Sequence, residues 1–286
     1  MDSKEEKITQ IEYIFVDGSY YCFYRYYASL SWWRFAHPEI ELGDPFLNAD
    51  FVSHFRKLFV EGVKSMPKKL KASKNAVIIV GKDCKRENIW RHEFIEKYKG
   101  TRPSGTEPRN GQEVFYGGKF FNMVYEEELF VKGGAQLIIK HPKLEADDVI
   151  AISAKRLLNE QLNCKIFIIT SDKDYLQLLE PRLSIVNAAY KNLGIVKGEP
   201  VDGLQELFIK TVIGDKSDNI NAVFAKCGYK TALKCYKEND YFESKLIKEN
   251  AHQKYLLNKK LIDFNEIPQE LSLEFMSKYN DSLLFK

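Results

Sequence analysis

Short apolar runs and helical patterns alternate along the first two hundred residues of the chain. Four runs have the length and composition of buried strands, at residues 11–16, 76–80, 135–139 and 165–170. Apolar residues recur at helical spacing between them, in residues 50–63, 86–99, 119–130 and 144–160. Strands that alternate with helices predict an α/β fold with a mainly parallel central sheet and helices on both of its faces.

The pattern changes after about residue 200, where apolar positions keep only the helical spacing. Helices are predicted at residues 203–213, 230–237 and 252–264. We therefore predict two domains, an α/β core over residues 1–200 and a helical lobe over residues 201–286 packed on it. Residues 184–188 and 195–197 are predicted to form a late strand pair, and the Gly- and Pro-rich residues 100–118 to form a loop.

The hydrophobic content, the cysteine spacing and the lengths of the apolar runs limit which classes of protein the chain can belong to. A chain of 286 residues with 44% hydrophobic residues can bury a substantial core. Its five cysteines show no CxxC spacing, which argues against a disulfide framework or a zinc site and favours reduced thiols inside a cell. Without an apolar signal region or a run of about 18 apolar residues, we expect a soluble protein with no membrane partner. We expect a monomer in the cytoplasm, or in the nucleus of a eukaryotic host.

Charge is nearly balanced overall but uneven along the chain. The formal net charge is +3, from 43 basic and 40 acidic residues. Residues 82–109 are rich in Lys and Arg, whereas the acids cluster elsewhere. A basic segment beside an acidic pocket suits an enzyme that acts on a phosphate backbone. For any one charged run taken alone, an ordinary solvated surface of mixed charge is the default interpretation.

Nine carboxylates occupy the predicted ends of strands and helices. They are Asp17, Asp83, Glu145, Asp147, Asp148, Asp172, Asp174, Asp215 and Asp218. In open parallel sheets the ligand crevice lies beyond the carboxyl ends of the strands, so we expect these acids to gather there. Acids crowded into one pocket repel one another unless protons or divalent cations neutralise them, and oxygen ligands suit Mg²⁺ or Mn²⁺. Two such ions about 4 Å apart can promote phosphodiester cleavage.

Each acidic cluster also has a purely structural interpretation. The helix dipole favours acids in the first turn of a helix, as in residues 145–148. Asp172 can cap a helix that begins near Tyr175, and residues 214–219 can be only a polar turn. The metal interpretation depends on the conjunction, because every cluster falls where an α/β sheet places its crevice.

Six motifs occur along the chain in a distinctive order: VDGSYYCFYRYYA, WRHEFIEKYKGTR, KLEADDVIA, ITSDKDYLQL, VIGDKSDNI and KTALKCY. Together they resemble the motifs of the 5′-nuclease superfamily, which includes flap endonucleases, the 5′-exonuclease domains of bacterial polymerases and the replicative ribonuclease H of phages. The resemblance is strongest to the phage enzyme and spans about residues 11–271. It implies a PIN-like α/β core with a helical arch over the active site at about residues 84–130.

The resemblance also implies roles for individual residues. Asp17, Asp83, Glu145 and Asp147 match the first metal group, while Asp148, Asp172, Asp174, Asp215 and Asp218 match the second group and its outer support. Lys99 matches the catalytic cation beside the scissile phosphate, and Arg91 and Arg102 match phosphate-steering positions. A salt-bridged surface residue is the alternative for Arg91. Tyr98 is expected either to stack on a base or to be a buried aromatic residue.

The helical lobe of this superfamily carries a helix–turn–helix with glycine-rich turns that grip duplex phosphates, often with a bound K⁺. Only Gly228 remains of these glycines here. Ala222 and Ala225 carry Cβ atoms that hinder close phosphate approach, which argues against the K⁺ site and against duplex binding by this element. Lysine side chains can still contact phosphate as point charges, and the candidates are Lys226, Lys230 and Lys234.

The function implied by the resemblance is that of a 5′–3′ exonuclease and flap endonuclease that uses Mg²⁺, with Mn²⁺ as a substitute. Its expected substrates are DNA with a 5′ flap or 5′ end and RNA–DNA hybrids such as primers. A sliding clamp and a single-strand-binding protein are candidate partners that no sequence motif supports. Two alternatives remain open at this point, an RNA-directed PIN-like nuclease and a non-catalytic protein that binds branched DNA.

Overall fold

A computed structural model describes residues 10–100, 115–280 and 282 of the chain. Its central sheet contains β1 (Ile11–Asp17), β2 (Val77–Gly81), β3 (Leu137–Ile139), β4 (Cys164–Ile169) and β5 (Leu183–Val186), in the order β3-β2-β1-β4-β5. Every neighbouring pair in this sheet is parallel. A separate antiparallel pair is formed by β6 (Ile195–Val196) and β7 (Glu199–Pro200). The prediction of a mainly parallel α/β fold is confirmed.

Helices surround the sheet and continue beyond it. They are α1 (Gly18–Ala36), α2 (Ala49–Lys64), α3 (Met66–Leu70), α4 (Gly117–Glu126), α5 (Leu129–Lys132), α6 (Ala146–Glu160), α7 (Gly203–Ile213), α8 (Tyr229–Lys237), α9 (Asn239–Lys248), α10 (His252–Ile262) and α11 (Gln269–Tyr279). Short 3₁₀ helices occupy Pro45–Leu47, Arg86–Asn88, Trp90–Glu93 and Lys173–Leu178. No helix in these described ranges is long and apolar enough to cross a membrane.

The side chains on the two faces of β1 pack into two different hydrophobic clusters. Tyr13 and Phe15 face a cluster built with α6 and α11, whereas Ile14 and Val16 face a cluster built with α1, α2, α4 and α5. This alternation follows from the period of two in a β-strand. All four side chains are at most 1% exposed, so β1 is the buried centre of the sheet.

The chain order creates a crevice beside the end of β1. After β1 the chain builds β2 and β3 on one side, then crosses over to build β4 and β5 on the other side. The carboxyl end of β1 is therefore a topological switch point, where connections diverge and leave room for a ligand. Asp17 is the last residue of this strand.

Two predicted elements are wrong. Residues 86–99 form short 3₁₀ helices and turns instead of one helix, because their buried side chains contact separate neighbours and Lys99 has a left-handed φ of 53°. The late strand pair also does not form. Residues Leu183–Val186 join the central sheet as β5, and Ile195–Val196 pair with Glu199–Pro200 across the tight turn at Gly198.

The hydrophobic pattern does not predict α1, because Asp17-Gly18 resembles a turn. Tyr, Phe and Trp residues occur on nearly every turn of α1, so it has no single apolar stripe. Asp17 is nevertheless the N-cap residue of α1, since its carboxylate accepts a hydrogen bond from the Tyr20 amide at 3.0 Å.

The helices after residue 200 contribute to three apolar clusters, one of which joins Leu261 and Ile262 of α10 to Ile89, Tyr98 and Ile220. Helices α7, α8 and α9 share a small apolar cluster with Phe224 and Ala251, whereas Leu271, Phe275 and Tyr279 of α11 pack in the same cluster as α6. The division at residue 200 stays a prediction, and the last helix packs with the α/β core.

Candidate metal-dependent active site

The first carboxylate of the site is fixed where β1 becomes α1. Besides capping α1, Asp17 accepts a hydrogen bond from the Thr170 hydroxyl at 3.2 Å, just after β4. The hydroxyl of Ser19 donates to Asp83, which follows β2. Three neighbouring strand ends are therefore connected through two carboxylates.

The start of α6 brings three more acids to the same place. The Asp83 carboxylate accepts from the Ala146 amide at 2.8 Å, which fixes this helix to the end of β2. Glu145 is the N-cap residue and forms a capping box with Asp148. Ligand oxygens of Glu145, Asp147 and Asp148 lie within 4.8 Å of one another.

One crevice of about 270 Å³ collects five of the nine predicted acids. They are Asp17, Asp83, Glu145, Asp147 and Asp172, and Lys99, Tyr20, Phe23 and Thr170 line the same space. The five acids come from the ends of β1, β2 and β4 and from the start of α6. Their donor set consists only of carboxylate oxygens, which is the set that Mg²⁺ and Mn²⁺ prefer.

The other four acids have protein partners. Lys210 of α7 forms ion pairs with Asp174 and, at 2.8 Å, with Asp215. Asp174 and Lys210 line a neighbouring cavity of about 270 Å³. Asp218 is 7% exposed and accepts from the Tyr98 hydroxyl at 3.1 Å.

Asp148 lies behind the crevice and is fully buried. Its two oxygens accept hydrogen bonds from the Arg91 guanidinium at 2.8 and 2.9 Å, and from the Trp90 indole at 3.0 Å. Protein donors therefore contact both oxygens of the Asp148 carboxylate. The role of Asp148 in the outer support of the metal site stays a prediction.

Arg91 and Tyr98 are corrected by their burial. Arg91 is 2% exposed and pairs with Glu145 and Asp148, so it is neither a surface residue nor within reach of a phosphate in this conformation. Tyr98 is 3% exposed and packs in one apolar cluster with Ile89, Ile220, Leu261 and Ile262. Of its two interpretations, the buried aromatic residue is correct, because its ring has no face open for a base.

Lys99 reaches the crevice from the same segment. Its ammonium group forms an ion pair with Glu145 and lies 3.9 Å from Asp218. The backbone amide of Lys99 donates to the Asp218 carbonyl at 3.0 Å. A cation is thus fixed beside the carboxylates, at the edge of the crevice.

The three lysines that are predicted to contact nucleic acid do not line the crevice. Lys226, Lys230 and Lys234 are exposed around the start of α8. Lys234 lies 3.6 Å from Glu238, one turn along the helix. Gly228 is the N-cap residue of α8, and Lys226 has a left-handed φ of 50°. Arg102 lies outside the described residues.

The chain matches known nucleases over most of its length. The model of the 5′-3′ exonuclease N-terminal, resolvase-like domain matches residues 12–203, which is more than half of the chain. The chain belongs to the 5′–3′ exonuclease family. The match contains seven of the nine acids and ends where α7 begins.

Two relatives are similar to the chain in sequence, and two solved structures share its fold. Ribonuclease H of Enterobacteria phage T4 is 26% identical over 244 residues, covering 80% of this chain and 78% of the phage protein. DNA polymerase I of Thermus thermophilus is 31% identical over 184 residues, covering 61% of this chain but 20% of the polymerase. The zinc-bound T5 5′-exonuclease has a TM-score of 0.59 at 17% identity, covering 93% of this chain and 97% of that chain. A bacteriophage T5 flap endonuclease with DNA and metal ions has a TM-score of 0.59 at 18% identity, covering 93% and 97%.

Burial, together with the charges of neighbouring acids, raises the pKa of three acids in this exonuclease-family protein. Burial, followed by the charge of Asp83, raises the pKa of Asp17 from 3.8 to about 8. Burial also raises the pKa of Glu145 to about 7, although Lys99 opposes the shift. Burial and Asp172 raise the pKa of Asp174 to about 7. Carboxylates in this state need compensating positive charge, so the residues present fit divalent cations.

This crowding predicts how stability depends on pH when chelator is present. Between its ordinary pKa of 3.8 and about 8, Asp17 binds more protons in the folded than in the unfolded chain. The free energy of unfolding therefore falls as the pH rises through this window. We expect a melting temperature in EDTA that is on the order of 5 °C lower at pH 8 than at pH 5.

Calorimetric melts in EDTA and in excess Mg²⁺ would check this expectation. Mg²⁺ should raise the melting temperature more at pH 8 than at pH 5, because cations bind the deprotonated site. The Asp17→Asn variant should show a weaker dependence on pH in EDTA. A melting temperature that rises steadily with pH in EDTA would contradict the assignment of crowded carboxylates.

Sequence reasoning missed Lys210, Ser19 and Thr170. Lys210 lies in the last turn of α7 and Asp215 lies two residues beyond the end of this helix, so closeness in sequence could have indicated the pair. Asp174 raises the pKa of Lys210 despite the opposing effect of burial, so this cation keeps its charge. Ser19 and Thr170 each adjoin a strand end, but hydroxyl residues are common at such positions and give no specific signal.

Proposed function

We propose that the chain is a Mg²⁺-dependent 5′ nuclease that hydrolyses phosphodiesters at 5′ ends and 5′ flaps. The observation that carries this proposal is the single crevice that Asp17, Asp83, Glu145, Asp147 and Asp172 line. Lys99 adds one cation at its edge. Mn²⁺ should replace Mg²⁺, because both ions accept oxygen ligands in similar geometry.

The acids divide into two groups by position. Asp17, Asp83, Glu145 and Asp147 would hold one ion, and Asp172, Asp174 and Asp215 would hold a second. Asp148 and Asp218 support these ligands from behind, through Arg91 and Tyr98. Divalent ions, when bound, supply the positive charge that water activation and departure of the leaving oxygen require.

Positively charged side chains of the protein would supply the remaining interactions with phosphates and with the acids. Lys99 would bind an oxygen of the scissile phosphate and offset the negative charge that grows in the transition state. Lys210 would hold Asp174 and Asp215 in place and exchange part of its ion pairing for the second ion. Lys226 and Lys230 would contact backbone phosphates of the duplex as point charges.

The substrate class is supported by the relatives. One relative is a phage ribonuclease H, and a solved structure of the same fold is a flap endonuclease with DNA. We therefore propose RNA–DNA hybrids and flapped DNA as substrates, and primer or flap removal in DNA replication or repair as the role. Cleavage would leave a 3′-hydroxyl and a 5′-phosphate.

A direct test compares labelled substrates at one enzyme concentration in Mg²⁺, in Mn²⁺ and in EDTA. The set contains a 5′-flap DNA duplex, an RNA–DNA hybrid with a recessed RNA 5′ end, and single-stranded RNA. We expect both metals to support cutting of the flap near its junction and of the hybrid from its 5′ end. Preferred cutting of single-stranded RNA would favour an RNA-directed nuclease. Flap binding without cutting in any metal would contradict the proposed enzyme.

A further inference from the structure

Arg91 has all three guanidinium nitrogens engaged by protein oxygens. Its Nη1 and Nη2 donate to the two oxygens of Asp148 at 2.9 and 2.8 Å, and Nη1 also donates to Glu145 at 3.1 Å. Its Nε donates to the Leu261 carbonyl at 2.8 Å. Bidentate pairing with a carboxylate fixes both the distance and the plane of the two groups.

These contacts do not suit a residue that binds a phosphate of the substrate. To reach a substrate, Arg91 would have to leave Asp148, which is fully buried, without its cation. Breaking a buried ion pair by removing one partner is strongly destabilising, because it leaves an uncompensated buried charge. The side chain of Lys99, in contrast, is 12% exposed and lines the crevice itself. The two cations of this segment therefore have different tasks.

The contacts of Arg91 connect two parts of the molecule. Leu261 belongs to α10, whose neighbour in space is α7, whereas Glu145 and Asp148 belong to the start of α6. Each oxygen of Glu145 meets a different cation, Oε2 meeting Arg91 and Oε1 meeting Lys99. The orientation of this metal-ligand candidate thus depends on a guanidinium that α10 holds from the other side.

We propose that Arg91 is a positioning residue, which orients Glu145 in the crevice and couples that orientation to the docking of α10. The proposal rests on the proposed function, because Glu145 matters here as a ligand for the ions. It predicts that Arg91 affects metal binding and turnover, while the affinity for nucleic acid does not depend on it.

The test compares Arg91→Lys with Lys230→Gln, a variant of an exposed candidate phosphate contact. Mn²⁺ affinity is measured by calorimetry without nucleic acid, and flap-duplex affinity is measured in EDTA over a range of salt concentrations. Arg91→Lys should lower Mn²⁺ affinity and kcat by about 10-fold to 100-fold, as loss of a residue that supports ligands does. Its KM, duplex affinity and salt slope should match the native protein. Lys230→Gln should reduce the salt slope by about one and leave Mn²⁺ affinity unchanged.

A second variant separates positioning from stability. Arg91→Gln combined with Asp148→Asn removes both charges of the buried pair, so neither partner is left as an uncompensated buried charge, which should preserve folding. Thermal melts monitor the fold. A double variant that melts like the native protein but still binds Mn²⁺ about 10-fold more weakly supports positioning. A double variant with native Mn²⁺ affinity and turnover overturns the proposal.

The same experiments distinguish failure of the positioning proposal from failure of the proposed function. If Arg91→Lys weakens duplex binding and reduces the salt slope as Lys230→Gln does, with Mn²⁺ affinity intact, Arg91 is a phosphate ligand and the proposal is wrong. If the native protein cuts no substrate, the proposed function fails. The Mn²⁺ calorimetry of Arg91→Lys would still report whether this arginine orients the metal ligands.

Discussion

Replacing Asp147 with asparagine should lower the cleavage rate on a 5′-flap duplex on the order of 10³-fold, a loss typical of a central electrostatic group. Asp147 lies between the two groups of acids, since its charge contributes to the raised pKa values of both Asp17 and Asp174. Its carboxylate accepts from the Asp148 amide at 2.7 Å, so its orientation in the crevice is fixed by the backbone.

Asparagine keeps the shape and the accepting oxygen of this side chain and removes only the charge. Flap binding should therefore persist, and it should become slightly tighter because one repulsive charge next to the phosphates is lost. Single-turnover cleavage in Mg²⁺ and binding in EDTA measure the two effects separately. Asp50→Asn, an exposed acid in the first turn of α2, is the matched control and should cut at the native rate. Retention of more than about a tenth of the native rate in Asp147→Asn would contradict its placement at the centre of the metal site.

The second large effect is expected for Lys99→Met, which should lower kcat about 10²-fold to 10³-fold with little change in KM. Methionine preserves an unbranched apolar stem as far as the ε position and removes the ammonium group. The loss should appear in kcat, because a cation at this edge of the crevice offsets charge that develops only in the transition state. Steady-state rates over a range of flap-duplex concentrations give kcat and KM separately.

Lys97→Met provides the control for Lys99→Met. Lys97 is an exposed lysine two residues earlier in the same segment, and its backbone carbonyl would still accept from the Asn219 side chain at 3.1 Å. This variant should keep native kcat. Removing Lys99 leaves Glu145 with Arg91 as its remaining cation among the described contacts, so melting curves must accompany the kinetics. A higher KM at native kcat would show that Lys99 binds substrate without contributing to the transition state.

The positions of the strand-end acids could be derived from the sequence. Asp17, Asp83 and Asp172 follow apolar runs, and parallel strands bring their carboxyl ends to one edge. The period of two in β1 and the helical spacing of α6 are local properties, which depend on backbone geometry and on residues close in sequence. For this reason the α/β class and the gathering of acids were predictable without any contact information.

The different environments of Arg91 and Lys99 could not be derived from local sequence patterns. Arg91 and Lys99 lie eight residues apart in one basic segment, yet one is buried against Asp148 and the other lines the crevice. The difference comes from partners far away in the sequence, Leu261 for Arg91 and Asp218 for Lys99. The same contacts explain why residues 86–99 do not form the helix that their pattern predicts, because tertiary partners override local propensity.

The sequence by itself determined the α/β class, the strand ends and the set of acids, because these follow from local periodicity and from residue type. Only the tertiary structure decided which acids face the crevice and which are already paired, as Asp174 and Asp215 are with Lys210. It also decided that Tyr98 and Arg91 are interior residues. The physical reason is that burial and ion pairing depend on which distant elements pack together.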